Sequence, residues 1–321
     1  MSIPQHVLVY EFLSAGAIIA GLSAHEQADL LAQGMAMRNA MLADLCALPG
    51  LRVACMVAPN SDASLPEVAG IEPLVARPGE PHALLLQRAA QGGATVWAVA
   101  PETGGALEAL ARAVPAPQWL GCTPEAIALA ASKRATCRHL AAQGVAVPQA
   151  PPHAAGPWVV KPDDGAGSAD TRRHASFAAA EADARQRSPS GAGCTLEPWV
   201  EGEALSLSLC IHEAEARLLS INRQQIQVDA KGQVHFLGVQ AAAIDPGSER
   251  GERLARLAAQ VAQAMPGLRG FVGIDLVWHA QRGPVVIEVN PRLTTAYVGL
   301  SERLGVNVAQ LLLAGSRGGC P

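Results

Sequence analysis

Aromatic residues are scarce in this sequence, and neither sign of charge dominates it. Aromatics make up 3% of the 321 residues and apolar residues 50%, with a formal net charge of −4. This composition excludes a disordered or fibrous chain and is typical of alanine-rich helices around a compact sheet. The weakly acidic balance predicts neither nucleic acid nor an anionic membrane as a partner.

Regular cysteine spacing is also missing. The seven cysteines form no C-x-x-C motif and are odd in number, which argues against a zinc site or a disulfide framework. We therefore expect reduced core thiols in a cytoplasmic protein. The cysteines are Cys46, Cys55, Cys122, Cys137, Cys194, Cys210 and Cys320.

Long uncharged apolar runs are absent, so no segment is expected to span a membrane. The apolar start of the chain, residues 1–22, has no basic region, and Glu11 interrupts its apolar run. This pattern is not that of an export signal, so we expect these residues to belong to the folded protein.

The first part of the chain alternates strand and helix patterns. The patterns predict helices over 24–48 and 81–91 and strands over 6–10, 52–59 and 94–101. This alternation is typical of a parallel α/β unit, so residues 1–118 are predicted to form a Rossmann-like domain. No G-x-G-x-x-G motif follows the first strand, which argues against a dinucleotide there.

The rest of the chain, residues 119–321, reads as an α+β region rich in antiparallel strands. One continuous helix is predicted over 123–144, and others near 175–187 and over 248–264. Strands are predicted over 158–161, 194–200, 204–211, 216–228, 234–242, 271–278 and 284–291. We place a smaller lobe at 119–195 and a larger lobe at 196–321.

The last two predicted strands form a hairpin that carries buried polar residues. With the turn centred between residues 281 and 282, Asp275 faces Glu288 and Gly273 faces Asn290. Opposed carboxylates repel one another unless a cation lies between them, and carboxylate and amide oxygens are ligands that Mg²⁺ prefers. The hairpin therefore predicts a metal site, because its apolar flanks argue against two solvated surface acids.

Two further segments suggest a nucleotide site, although each is weak alone. Lys161 ends an apolar strand and precedes a glycine loop with Gly165, Gly167 and Ser168, which suits phosphate but also fits an ordinary turn. The segment TLEPWVEGEALSLS, residues 195–208, places Glu197, the Val200 backbone and Glu203 at a strand connection, which suits adenine but also fits a simple turn. Lys133, beside Arg134 in the predicted helix, fits a solvated helix face by itself.

The order of these elements resembles the ATP-grasp superfamily. The resemblance implies an N-terminal pre-ATP-grasp domain, followed by a two-lobed ATP-grasp domain. It implies that Lys133 and Lys161 contact phosphates, that Glu197 and Val200 hold adenine, and that Asp275, Glu288 and Asn290 hold Mg²⁺ or Mn²⁺. Members often carry a ribose-binding acid two residues after the hinge glycine, whereas Glu203 follows Gly202 directly.

Within that superfamily, three segments resemble the tyramine–glutamate ligase group of methanofuran- or methylofuran-type cofactor biosynthesis. They are EVNPRLTTAYVGLS, YEFLSAG and Asn222-Arg223-Gln224. The resemblance implies an ATP-dependent carboxylate–amine ligase that acts through an acyl phosphate on small-molecule acid and amine substrates. A homodimer is compatible with it. The alternatives are an ATP-binding regulatory protein without turnover and an ATP-grasp kinase.

Chemistry suggests roles for residues around this site. A planar guanidinium suits a transferring phosphoryl group, so Arg292 is the first catalytic candidate and Arg223 the second. Thr294 and Thr295 open a predicted helix, where they either bind a substrate carboxylate or simply cap the helix. Glu11 follows the first strand, where it is either a substrate-amine ligand or a solvated loop acid.

Overall fold

The computed structural model describes residues 5–19, 23–59, 65–77, 79–151, 154–165, 170–188 and 193–315. These residues contain three β-sheets, and the sheets follow one another along the chain. The first has four parallel strands, the second three antiparallel strands, and the third five antiparallel strands.

The parallel sheet confirms the Rossmann-like N-terminal unit. Its strands lie in the order β3-β2-β1-β4, and both faces of β1 are buried, since Val7 and Val9 contact one core cluster and Leu8 and Tyr10 another. The strand β3 was not predicted, because it contains Pro73 and none of its five residues is fully buried. The four strands are β1 (His6–Glu11), β2 (Arg52–Val57), β3 (Ile71–Val75) and β4 (Thr95–Val99).

The two antiparallel sheets confirm the α+β character of the second part. They lie in the orders β6-β5-β7 and β10-β9-β8-β11-β12. The short strand β6 was not predicted. The strand β7 spans the predicted boundary between the two lobes, at residues 195 and 196, and the domain limits stay a prediction. These strands are β5 (Trp158–Pro162), β6 (Arg172–His174), β7 (Cys194–Pro198), β8 (Glu203–His212), β9 (Glu215–Val228), β10 (Val234–Ile244), β11 (Gly270–His279) and β12 (Gly283–Asn290).

Helices cover the sheets and begin largely where the sequence signals suggest. Ser23 and Glu26 form a capping box at the start of the first helix. The α-helices in the described part of the chain are α1 (Ala24–Cys46), α2 (His82–Gln91), α3 (Ala106–Ala113), α4 (Pro124–Ala131), α5 (Lys133–Ala142), α6 (Phe177–Arg187), α7 (Glu249–Ala264), α8 (Leu300–Leu304) and α9 (Val308–Gly315).

The prediction of one continuous helix over 123–144 was wrong. Ser132 leaves the helical conformation, with φ −98° and ψ 109°, and its side chain accepts a hydrogen bond from Ala135 N. A serine that caps a new helix interrupts the old one, because its hydroxyl competes with the helical hydrogen bonds. Lys133 is therefore the first residue of α5 and does not lie in the middle of a longer helix.

The C-terminal helix α9 packs against α1 of the N-terminal unit, so the two parts of the chain share a core cluster. Leu312 and Leu313 of α9 contact the core cluster that also contains Met41 of α1. Asp44 of α1 strengthens this junction, because its Oδ2 accepts hydrogen bonds from Tyr297 Oη at 2.5 Å and Ser301 Oγ at 2.6 Å.

We expect Asp44→Ala to lower the free energy of unfolding by about 2 kcal/mol, because two hydrogen bonds to a half-buried carboxylate are lost. Urea unfolding followed by circular dichroism measures this change. Asp29→Ala, at an exposed position of the same helix, is the control and should change stability by no more than about 0.5 kcal/mol. Equal effects of the two changes would contradict the proposed junction.

No helix in the described ranges is long and apolar enough to cross a membrane. The six cysteines within these ranges are free thiols.

Candidate functional site

A cavity of about 620 Å³ lies where the three sheets meet. It brings together almost all of the residues that the sequence suggested, although they are spread from residue 11 to residue 295. Gly165 does not line it, and Gly167 and Ser168 lie outside the described residues. The predicted residues that line the cavity are Glu11, Lys133, Lys161, Glu197, Val200, Glu203, Arg223, Asp275, Glu288, Asn290, Arg292, Thr294 and Thr295.

The hairpin register is as predicted at the site. Asp275 pairs with Glu288, and Gly273 pairs with Asn290. The pairing next to the turn differs by one residue from the predicted pairing, because His279 pairs with Gly283 instead of Pro284. A β-bulge at Ile287 restores the predicted register. The bulge adds one residue to β12 between the turn and the site, so the predicted pairs still face each other.

Protein groups contact both members of the acid pair. Glu288 Oε1 lies 2.9 Å from Lys133 Nζ. The Asp275 carboxylate accepts hydrogen bonds from Gln224 Nε2 at 2.8 Å and from Asn290 Nδ2 at 3.1 Å. Burial, and then the charge of Glu288, raise the pKa of Asp275 to about 7. Lys133 thus supplies a positive charge to one acid, while the other is held by neutral amides.

The donor set fits a hard divalent cation. No group of three His, Cys, Asp or Glu side chains that could hold a metal occurs in the described part of the chain. The third donor would be the amide oxygen of Asn290, beside the carboxylates of Asp275 and Glu288. The raised pKa of Asp275 marks a negative charge that nearby donors only partly compensate, and such a charge attracts Mg²⁺.

Glycine at position 273 makes room for the segment that follows β12. A Cβ atom there would lie 2.7 Å from Cγ2 of Thr294. The methyl group of Thr294 lies against Gly273. The threonine pair is thereby brought beside the acid pair.

The two predicted phosphate lysines are buried and paired with acids. Lys161 Nζ lies 2.5 Å from Glu197 Oε1, and both residues are 5% exposed. Burial by itself would lower the pKa of Lys161, but Glu197 and Glu288 outweigh it and raise that pKa, which keeps the ammonium charged. The predicted phosphate ligand and the predicted adenine ligand are therefore direct neighbours.

Asp163 places Lys133 and was missed in the sequence. Its carboxylate accepts hydrogen bonds from Ser132 Oγ at 2.7 Å, Thr195 Oγ1 at 2.5 Å and Arg134 N at 2.9 Å. It thereby ties the start of α5 to β7, so that Lys133 Nζ reaches Glu288 and donates to the carbonyl oxygen of Gly165. The sequence held a signal for this role of Asp163, because Asp163 follows Lys161 by two residues and a possible capping residue, Ser132, directly precedes Lys133.

Around Glu203, charged residues pair with one another. Glu203 lies 2.7 Å from Arg223 Nε and 2.6 Å from Arg250 Nη2. The ribose candidate and the second catalytic candidate are thus partners in one ion-pair cluster. Gly202 lets the connection pass close to β11, since a Cβ there would lie 2.3 Å from the Trp278 carbonyl oxygen. Val200 is buried nearby.

At the other end, Arg292 is held by a residue that the sequence analysis missed. Its Nε and Nη2 donate to the two carboxylate oxygens of Glu102, at 2.9 and 3.1 Å. Glu102 lies three residues after β4, and Glu11 is the last residue of β1, so the position of Glu102 beyond the C-terminal end of a strand was the available signal. This bidentate pair fixes the plane of the guanidinium beside the metal donors.

The predicted helix after Thr294 was wrong in form. Thr295–Tyr297 is one 3₁₀ turn, α8 begins only at Leu300, and the Thr294 side chain makes no capping hydrogen bond. The interpretation of Glu11 as a solvated loop acid was also wrong, because Glu11 is 3% exposed.

Comparison with known proteins agrees with this architecture. Residues 130–296, more than half of the chain, match the ATP-grasp domain, and residues 51–127 match the pre ATP-grasp 3 domain. The chain belongs to the ATP-grasp family, with a pre-ATP-grasp domain in front.

One relative is the tyramine–L-glutamate ligase of Methanocaldococcus jannaschii, 30% identical over 118 residues, which are 37% of this chain and 34% of the relative. The match thus spans about a third of that relative. Two solved structures share the fold. An ATP-grasp superfamily protein from Archaeoglobus fulgidus is 22% identical with a TM-score of 0.72, over 97% of this chain and 88% of that chain. The L-amino acid ligase from Bacillus licheniformis is 17% identical with a TM-score of 0.64, over 99% and 75%.

Proposed function

We propose that this protein is an ATP-dependent carboxylate–amine ligase. The observation that carries the proposal is one continuous cavity lined by two buried lysines, the Asp275–Glu288 pair, Arg292 and Glu11. This places groups suited to phosphate next to a space suited to organic substrates. The names of the relatives support tyramine and L-glutamate as substrates. We extend the proposal to tyrosine as an alternative amine and to a methylofuran-type cofactor pathway.

In the proposed reaction, a substrate carboxylate oxygen attacks the γ-phosphorus of ATP, and the bond to the β-phosphate oxygen breaks to release ADP. The amine then attacks the acyl carbon, and inorganic phosphate leaves as the amide forms. Lys133 and Lys161 hold the phosphates, and Arg292 grips the transferring phosphoryl group and the acyl phosphate. Glu197 and the Val200 backbone hold adenine, with Glu203 beside the ribose. Thr294 and Thr295 bind the substrate carboxylate.

Asp275, Glu288 and Asn290 would hold Mg²⁺, which neutralises phosphate charge when bound. Arg223 sets the position of Glu203 in this proposal, because the two are ion-paired. No protein nucleophile is required, since the intermediate forms on the substrate.

The test is ADP release with Mg²⁺-ATP in the presence of candidate acids and amines, alone and together. A ligase releases ADP and phosphate and forms an amide only when both substrates are present. ADP release with a stable phosphorylated product and no amine requirement would indicate a kinase instead. ATP binding without turnover in any mixture would indicate a regulatory protein.

We expect Arg292→Lys to lower kcat roughly 100-fold with little change in ATP affinity, because lysine keeps the charge but not the bidentate planar contact. Steady-state ADP release and calorimetric titration with a nonhydrolysable ATP analogue measure the two effects. Arg303→Lys, the same change at an exposed position, is the control. A normal kcat in Arg292→Lys would remove Arg292 from the reaction.

A further inference from the structure

The cavity extends past Arg292 to the C-terminal ends of β1 and β4. This half is walled by apolar side chains and by one face of α1. Among the described residues that line it, Glu11 is the one acid. Its apolar lining consists mainly of Leu13, Ile19, Leu30, Met37, Val99 and Ala296.

Glu11 retains capacity to bind a ligand. Its Oε1 accepts a hydrogen bond from Leu13 N at 3.1 Å and its Oε2 one from Ser14 N at 2.7 Å. Within the described residues no ion pair to Glu11 is formed. A carboxylate can accept about four hydrogen bonds, so each oxygen can accept another. A buried carboxylate without a cationic partner favours a positively charged ligand.

Gly34 of α1 makes the position of Glu11 possible. A Cβ atom at Gly34 would lie 2.5 Å from Oε1 and 2.8 Å from Oε2 of Glu11. Glycine within a helix is less stable than alanine, so this position has a cost to the helix. The absence of a side chain at Gly34 leaves space for the Glu11 carboxylate at the edge of the cavity.

We propose that Glu11 and Gly34 form a subsite for the ammonium group of an amino-acid substrate, an inference that rests on the proposed ligase function. The attacking amine of a ligase must be uncharged, whereas a buried carboxylate favours the charged form of a nitrogen. The nitrogen at Glu11 is therefore not the nucleophile. It belongs to the substrate whose carboxylate is activated.

The chain geometry is compatible with one small molecule reaching both groups. Glu11 pairs with Val99 in the parallel sheet, and Glu102, which holds Arg292, follows three residues later. Val99 and Glu102 are three residues apart, so the chain between them spans at most roughly 10 Å. An amino acid with a carboxylate side chain is of suitable length for this distance.

The experiment compares amino acids with the same acids lacking the amino group: L-glutamate with glutarate, and L-aspartate with succinate. Binding is measured by calorimetry in the presence of Mg²⁺ and a nonhydrolysable ATP analogue, and turnover by ADP release. We expect the wild type to bind one amino acid roughly 10- to 100-fold more tightly than its partner. Glu11→Gln and Gly34→Ala should both collapse this ratio, the second by displacing the Glu11 carboxylate. Asp29→Asn, which removes an exposed charge from α1, should keep the ratio.

A wild type that binds no amino acid better than its deaminated partner would overturn the subsite. So would a preserved ratio in Glu11→Gln. If no mixture of acid and amine releases ADP, the ligase proposal fails instead, and the binding ratios still decide whether the subsite exists.

Discussion

Asp275→Asn is expected to abolish turnover, by roughly a thousandfold or more, while the protein stays folded. The substitution removes a charged ligand from the proposed metal site, so the charge of the transferring phosphoryl group is no longer neutralised. Glu288→Gln should have a comparable effect, because it also removes the partner of Lys133. Steady-state ADP release over a range of Mg²⁺ concentrations measures both losses.

The thermal stability of Asp275→Asn shows whether a loss of turnover comes from a damaged site or from an unfolded protein. The pKa of Asp275 in the folded chain, about 7, lies above its ordinary value of 3.8. The stability contributed by the protonated carboxyl is therefore present below pH 4 and lost as the pH rises through 7. Asparagine does not ionise, so metal-free Asp275→Asn should unfold at no lower temperature than the wild type at pH 8.

Glu215→Gln, at an exposed position of the same sheet, is the matched control and should keep full activity. Near-normal turnover in Asp275→Asn would remove this residue from the metal site. A large drop in its unfolding temperature would instead mean that the carboxylate is structural.

Replacing the buried Lys161–Glu197 pair is expected to weaken ATP binding by roughly 10- to 100-fold. Lys161→Ala alone should also weaken it, but that change leaves Glu197 buried without its partner, which costs about 3–5 kcal/mol of stability. The double variant Lys161→Met, Glu197→Gln removes both charges, and such replacements are often close to neutral for stability. Calorimetric titration with an ATP analogue measures the affinity.

Lys231→Met, a loss of an exposed lysine, serves as the control and should bind ATP as the wild type does. Unchanged nucleotide affinity in a well-folded double variant would show that neither residue of the pair contacts ATP. A double variant with weak binding but normal thermal stability would place the pair at the nucleotide.

Most strands and several helices could be read directly from the sequence. Runs such as FVGIDLVW and PVVIEVNP are largely apolar and carry β-branched residues, so strand and hairpin partner could be predicted from local rules. The missed strand β3 contains a proline and few buried residues, so those rules had little to detect. The interruption at Ser132 was also missed, because the alanine-rich flanks favour helix on both sides.

The sequence by itself determined which residues face one another within the last hairpin. Asp275 and Glu288 are close in the chain, and the β-bulge at Ile287 offsets the one-residue difference at the turn, so the predicted pair still faces each other.

Only the tertiary structure decided the partners of the charged groups. Lys133 pairs with Glu288 and Arg292 with Glu102, between elements that are far apart in the sequence. Lys161 pairs with Glu197 across the neighbouring strands β5 and β7. Attraction between charges is not directional enough to select one acid among many along a chain, so packing of the sheets selects it. The same packing buries Glu11, which lines the cavity instead of lying in a solvated loop.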